Sequence, residues 1–127
     1  MNIPIPTGEY AVGTFTYTVK DDRPEKLNPS VMRSVASRVY YPVEKDLTAG
    51  CTRAKCMSRR MAECIRKMFL LPLNYDRMEA AGENLSNCYE NAPRPEGKKY
   101  PLIMFSHGLG SYREGNSFLC IDLASHG

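Results

Sequence analysis

The most constraining stretch is Pro101 to Phe105, "PLIMF", which breaks into Ser106-His107-Gly108-Leu109-Gly110. A short, continuous apolar run bounded by glycine reads as a strand covered on both faces, here Pro101–Ser106. Two glycines one residue apart predict a tight turn that leaves backbone N–H groups open. Asn116 to Ser125 then reads as a helix, with Phe118, Leu119, Ile121 and Leu123 on its buried side. Gly127 fits a C-terminal helix cap. Strand, glycine loop and helix in that order form the first part of a crossover over a parallel sheet, so the fold class is α/β. The strand that such a helix delivers would begin where Gly127 stands, so the chain is expected to be an incomplete part of that fold. With 127 residues it holds one domain at most.

Upstream, Tyr10 to Val19, "YAVGTFTYTV", alternates and is rich in aromatic and β-branched residues, so it predicts a strand. Lys20 to Ser30 is polar with two prolines and reads as a loop. Val35 to Tyr41 reads as a second strand, pairing antiparallel with the first and stopped by Pro42. From Thr52 to Leu71 the period becomes helical, with Ala54, Met57, Met61, Cys64, Ile65 and Met68 on one face. Residues 72–100 have little period and read as loop with one short helix.

The net charge is +3, too small to argue for a nucleic-acid partner. All of the excess lies in residues 51–71, where Arg53, Lys55, Arg59, Arg60, Arg66 and Lys67 face Glu63 alone. An ordinary surface helix explains this pattern. A helix lying on anionic lipid is the sharper alternative, with Met57, Met61, Ile65, Met68 and Phe69 as its lipid-facing residues. The prolines at positions 4 and 6 do not suit a secretory leader, and five irregularly spaced cysteines read as free thiols, so a cytoplasmic location is expected. Cys51, Cys56 and Cys64 miss the paired spacing of a zinc site, so no metal is expected. Cys64 and Cys120 read as packed residues.

Tyr100 to Gly127, "YPLIMFSHGLGSYREGNSFLCIDLASHG", resembles the strand, oxyanion loop and helix of α/β-hydrolases, and more narrowly the platelet-activating-factor acetylhydrolases. Thr7 to Val19 and "RVYYP", Arg38 to Pro42, resemble that family's first strands at the right distance upstream. The resemblance implies the N-terminal part of an α/β-hydrolase fold: first strands, helical insertion, then strand, oxyanion loop and helix. It implies a calcium-independent serine esterase that needs no cofactor and acts on a phospholipid with a short sn-2 acyl group. It also implies that the backbone N–H of Leu109 helps hold the oxyanion, with Gly108 and Gly110 giving access. His107 reads as an anchor of that loop rather than as a base.

No serine stands in a Gly-x-Ser-x-Gly turn, and His107 and His126 do not follow such a serine. The nucleophile, acid and histidine segments are therefore absent from these 127 residues, which are expected to be inactive alone. Another α/β-hydrolase esterase, such as a dienelactone-hydrolase-like protein, is the alternative among enzymes. A non-catalytic piece that binds a lipid surface or a partner through residues 52–71 is the alternative outside them.

Overall fold

The computed structural model describes residues 3–68 and 85–127. They form one mixed sheet with two α-helices and a 3-10 turn at Lys45–Thr48. The strands are β1 (Ala11–Pro24), β2 (Met32–Val43), β3 (Arg53–Lys55) and β4 (Leu85–Glu90), in the order β2-β1-β4-β3. The helices are α1 (Arg59–Met68) and α2 (Ser117–His126).

The expected antiparallel pair is present and longer than its sequence pattern. Ala11 opposes Val43 and the ladder runs to Lys20 opposite Ser34, then slips to Pro24 opposite Met32. Residues 21–24 extend β1 into the polar stretch read as loop. Asp21 supports that arm by accepting from the Arg23 backbone N–H at 3.0 Å and from its guanidinium at 2.5 to 3.0 Å. Only the base of the hairpin is packed. Val12 and Thr14 are fully buried, whereas Tyr17, Val19, Met32 and Val35 are exposed.

The single helix expected over Thr52–Leu71 is divided. Arg53–Lys55 is a strand antiparallel to β4, and α1 starts only after Ser58. Ser58 caps it: its Oγ accepts from Met61 N–H at 3.2 Å and its carbonyl from Ala62 N–H at 3.1 Å. Residues 69–71 lie outside the described residues. Within the stretch 72–100, read as loop with one short helix, residues 72–84 lie outside the described residues and β4 corrects the reading at Leu85–Glu90. It pairs parallel with β1, placing Gly13 opposite Tyr89 and Thr14 opposite Glu90.

That pairing explains a further correction. The run Pro101–Ser106 is not a strand, because β4 occupies the parallel position beside β1 and no described strand pairs with residues 101–106. Leu102, Ile103, Met104 and Phe105 are exposed rather than covered. α2 forms as expected and ends at Gly127 with φ +101°. Its burial differs, since Ile121 and Ser125 face inward while Phe118, Leu119 and Leu123 are exposed.

The core is small: Val12, Ala54, Cys88 and Ile121, with Tyr40 and Ala124 packed against it. Arg38 joins all four strands around it. From β2 its Nε donates to Thr14 Oγ1 in β1 at 3.1 Å, Nη1 to Lys55 O in β3 at 3.3 Å, and Nη2 to Glu90 Oε1 in β4 at 3.0 Å.

Gly13 is a close-approach position. A Cβ there would enter the Tyr41 ring, with Tyr41 Oη 2.7 Å away. That ring is held by its hydroxyl, which donates to Ala92 O at 2.6 Å. Gly13→Ala is expected to cost about 2–3 kcal/mol, from overpacking and loss of that bond. A fall in denaturant midpoint at unchanged slope checks it.

Residues 7–10 form a strap clasped to the end of α2. Thr7 N–H and hydroxyl donate to Asp122 Oδ1 at 2.7 and 2.9 Å. Gly8 N–H donates to Ser125 Oγ and Tyr10 N–H to Ser125 O, both at 2.9 Å. The Thr7 backbone N–H, then its hydroxyl, hold the Asp122 carboxyl below the usual carboxylate range. A lowered folded pKa favours the clasp above the unfolded value of about 3.9 and loses that contribution as pH falls through the folded one. The Thr7 amide resonance is therefore expected to move toward its unfolded position below about pH 4. In Asp122→Ala it should sit there already at pH 7.

Candidate functional site

The extended run 101–106 leads into a tight turn. Ser111 N–H donates to Gly108 O at 3.1 Å, so Gly108 to Ser111 is a four-residue turn with Leu109 and Gly110 at its centre. Gly110 has φ +80° and Leu109 is not among the residues of positive φ. This combination is a type II turn, whose third position favours glycine. Gly108 has no such constraint, and a Cβ on it would meet nothing within 4 Å.

The Leu109 side chain stands fully in solvent, and among the described residues its N–H has no backbone acceptor. His107 Nδ1 lies 3.1 Å from Gly108 O, where its N–H donates to the turn. The imidazole thus contacts the carbonyl of the residue that opens the turn.

After the turn the chain folds back toward α2. Gly115 N–H donates to Tyr112 O at 2.9 Å and Ser117 N–H to Glu114 O at 3.1 Å. Glu114 is buried; its Oε1 accepts from Arg113 at 2.5 and 2.8 Å, while Oε2 has no partner among the described residues. Burial, then the nearby Glu114 charge, raises the Tyr112 hydroxyl pKa. Glu114 was not singled out by the sequence, because nothing in "YREGN" marks its carboxylate as buried.

One cluster combines a hydroxyl, an imidazole and a carboxylate. Thr7 Oγ1 lies 3.0 Å from His126 Nε2 and donates to Asp122 Oδ1. An activated nucleophile gives its proton to the imidazole. Here the hydroxyl proton is committed to the carboxylate, so the imidazole acts as donor and the cluster is a clasp.

The residues of the expected lipid-facing set differ in burial. Ile65 is buried, Met57 and Met61 are half-buried, and Met68 is exposed; Phe69 lies outside the described residues. Cys64, read as packed, is exposed; Cys120 is half-buried, and Cys88 provides the core thiol. Burial raises the Cys88 thiol pKa, partly offset by a hydrogen bond with Ser86. Among the described residues no group of three His, Cys, Asp or Glu side chains could hold a metal ion, and no helix is long and apolar enough to cross a membrane.

A 37-residue stretch is 62% identical to platelet-activating factor acetylhydrolase of Canis lupus familiaris, covering 29% of this chain and 8% of that protein. The Cavia porcellus protein of the same name is 60% identical over 37 residues, with the same coverage. The Gallus gallus protein is 44% identical over 57 residues, covering 38% of this chain and 14% of its own length. The matched segments thus span 8 to 14% of these relatives. The family model described as platelet-activating factor acetylhydrolase, isoform II, matches residues 1–127. The turn at 108–111, the paired first strands and α2 are therefore parts of a member of the platelet-activating factor acetylhydrolase, isoform II, family.

Proposed function

We propose that this chain supplies the oxyanion loop of a calcium-independent lipid esterase with the α/β-hydrolase fold. The substrate class is a glycerophospholipid with an acetyl or short acyl ester at sn-2. The observation that carries this reading is the type II turn at Gly108–Ser111, with a Leu109 N–H that has no backbone acceptor among the described residues, in a chain matched throughout by the family model.

A serine oxygen would attack the ester carbonyl, and the negative charge formed on the carbonyl oxygen would accept from Leu109 N–H. A preorganised backbone donor stabilises that charge without reorganising during reaction. Collapse expels the lysolipid alcohol, which takes the serine's proton through a histidine, and leaves an acetyl-serine. Water then releases acetate and restores the serine. No serine here stands in a Gly-x-Ser-x-Gly turn, so the nucleophile and its partners would come from outside these 127 residues.

The natural gene product, purified without calcium, should release acetate from a 2-acetyl ether phospholipid and lose that activity on fluorophosphonate labelling. Equal turnover of a dienelactone and none of the phospholipid would favour the broader esterase reading. A cytoplasmic protein resting peripherally on membranes suits the basic character of α1. Its exposed Met68 makes Met68→Asp the variant expected to weaken sedimentation with anionic liposomes.

A further inference from the structure

A cavity of about 440 Å³ lies between the N-terminal strap and the β3–β4 side of the sheet. Such a volume suits a small ligand. Its apolar lining includes Ile5, Tyr10 and Tyr89, and its polar lining includes Lys45, Arg53 and Asn87. Ile5 is 82% exposed, an apolar side chain at the rim that none of the described residues covers.

The charge balance of this cavity is one-sided. No acidic side chain lines it. Neither Lys45 nor Arg53 forms an ion pair among the described residues, although Arg23, Arg38, Arg59, Lys98 and Arg113 all do. Arg53 is nevertheless fixed. Its Nε and Nη2 donate to Ser86 O at 2.9 and 2.6 Å, and Nη2 also donates to Asn87 Oδ1 at 2.6 Å. These acceptors are neutral, so the guanidinium is positioned without being neutralised, and Nη1 donates to none of the described residues. Asn87 then passes the support onward by donating from Nδ2 to Pro4 O at 2.5 Å. The strap wall is thus pinned at Pro4 by Asn87 and at Thr7 by Asp122.

A held guanidinium and an ammonium, neither ion-paired among the described residues, line one pocket with apolar and aromatic side chains, which selects for a ligand with a negative head and an apolar body. We infer that this cavity binds a small organic anion, a carboxylate or phosphate monoester with a short apolar chain, its head at Lys45 and Arg53 and its chain along Ile5, Tyr10 and Tyr89. The site does not depend on the esterase reading, since it shares no residue with the turn at 108–111.

Calorimetric titration of the full chain with hexyl phosphate tests this. Saturable binding is expected, weakened about three- to fivefold in Lys45→Gln and retained in Lys45→Arg, the size of an exposed charge contact. Lys45 is exposed on the 3-10 turn, so its variants keep the fold, which circular dichroism checks. Hexanoate should compete. Vesicle sedimentation separates the sources of the head group: capture by phosphatidate vesicles that hexyl phosphate reverses assigns it to lipid, and binding of the monomer alone assigns it to a free metabolite. Either supports the anion site. Equal affinity for hexyltrimethylammonium, equal affinity for inorganic phosphate, or an unchanged Lys45→Gln overturns it.

Discussion

On the proposed esterase reading, Leu109→Pro in the natural gene product is expected to lower kcat for the phospholipid ester by about 10²–10³, with KM little changed. The substitution separates shape from chemistry. Leu109 is the second residue of a type II turn, the position proline favours because its ring fixes φ near the required value. Gly108 before it has no Cβ to clash with the ring. The turn therefore survives, and the main loss is the backbone N–H. Leu109→Ala is the control: the side chain stands in solvent, so its activity should match the parent. Wild-type kcat in Leu109→Pro would remove the oxyanion role from this residue.

Arg38→Ala is expected to destabilise the sheet by about 2–4 kcal/mol. The side chain is only 8% exposed, but its carboxylate partner Glu90 is 41% exposed, so the loss falls short of a fully buried pair. Three acceptors on three other strands lose their donor together. Thr14 Oγ1 is the most affected, because Thr14 is fully buried and keeps only its own bond to Val39 O at 2.9 Å. Arg38→Lys should recover little, since one ammonium cannot place donors on three separated acceptors. Chemical denaturation measures the loss, and hydrogen exchange should show β3 and β4 opening first. A midpoint unchanged within error in both variants would mean that the four-strand bridge contributes nothing.

The sequence was most legible where a single face repeats. Residues 10–19 alternate and 35–41 are rich in β-branched and aromatic residues, and the two pair as expected. The glycine turn was legible because Gly110 occupies a backbone region that disfavours other residues. β4 was not, because its inward residues are Ser86 and Cys88 rather than large apolar ones. Their burial is made possible by Ser86 Oγ donating to Ala54 O at 2.9 Å and contacting Cys88 Sγ at 3.0 Å. Ala54 misled in a related way: it fits the helical spacing of 57–68, yet its burial comes from β3. On α2, four apolar residues marked a buried side, but of these only Ile121 is buried, and Ser125 joins it inside because the strap covers it. The missed features all depend on a partner distant in sequence, which local periodicity does not encode.

The clasp between Thr7 and Asp122 joins residues 115 apart. During synthesis, the first residues of the strap emerge long before the helix that holds them. At roughly 5–20 residues per second the delay is about 6–23 s. Loop closure over such a span is also costly in entropy, so the β1–β2 hairpin can assemble well before the strap has anything to grip. The strap is thus a late-closing seam on the ribosome, and any pause in translation before α2 has emerged would hold it open to proteases and chaperones.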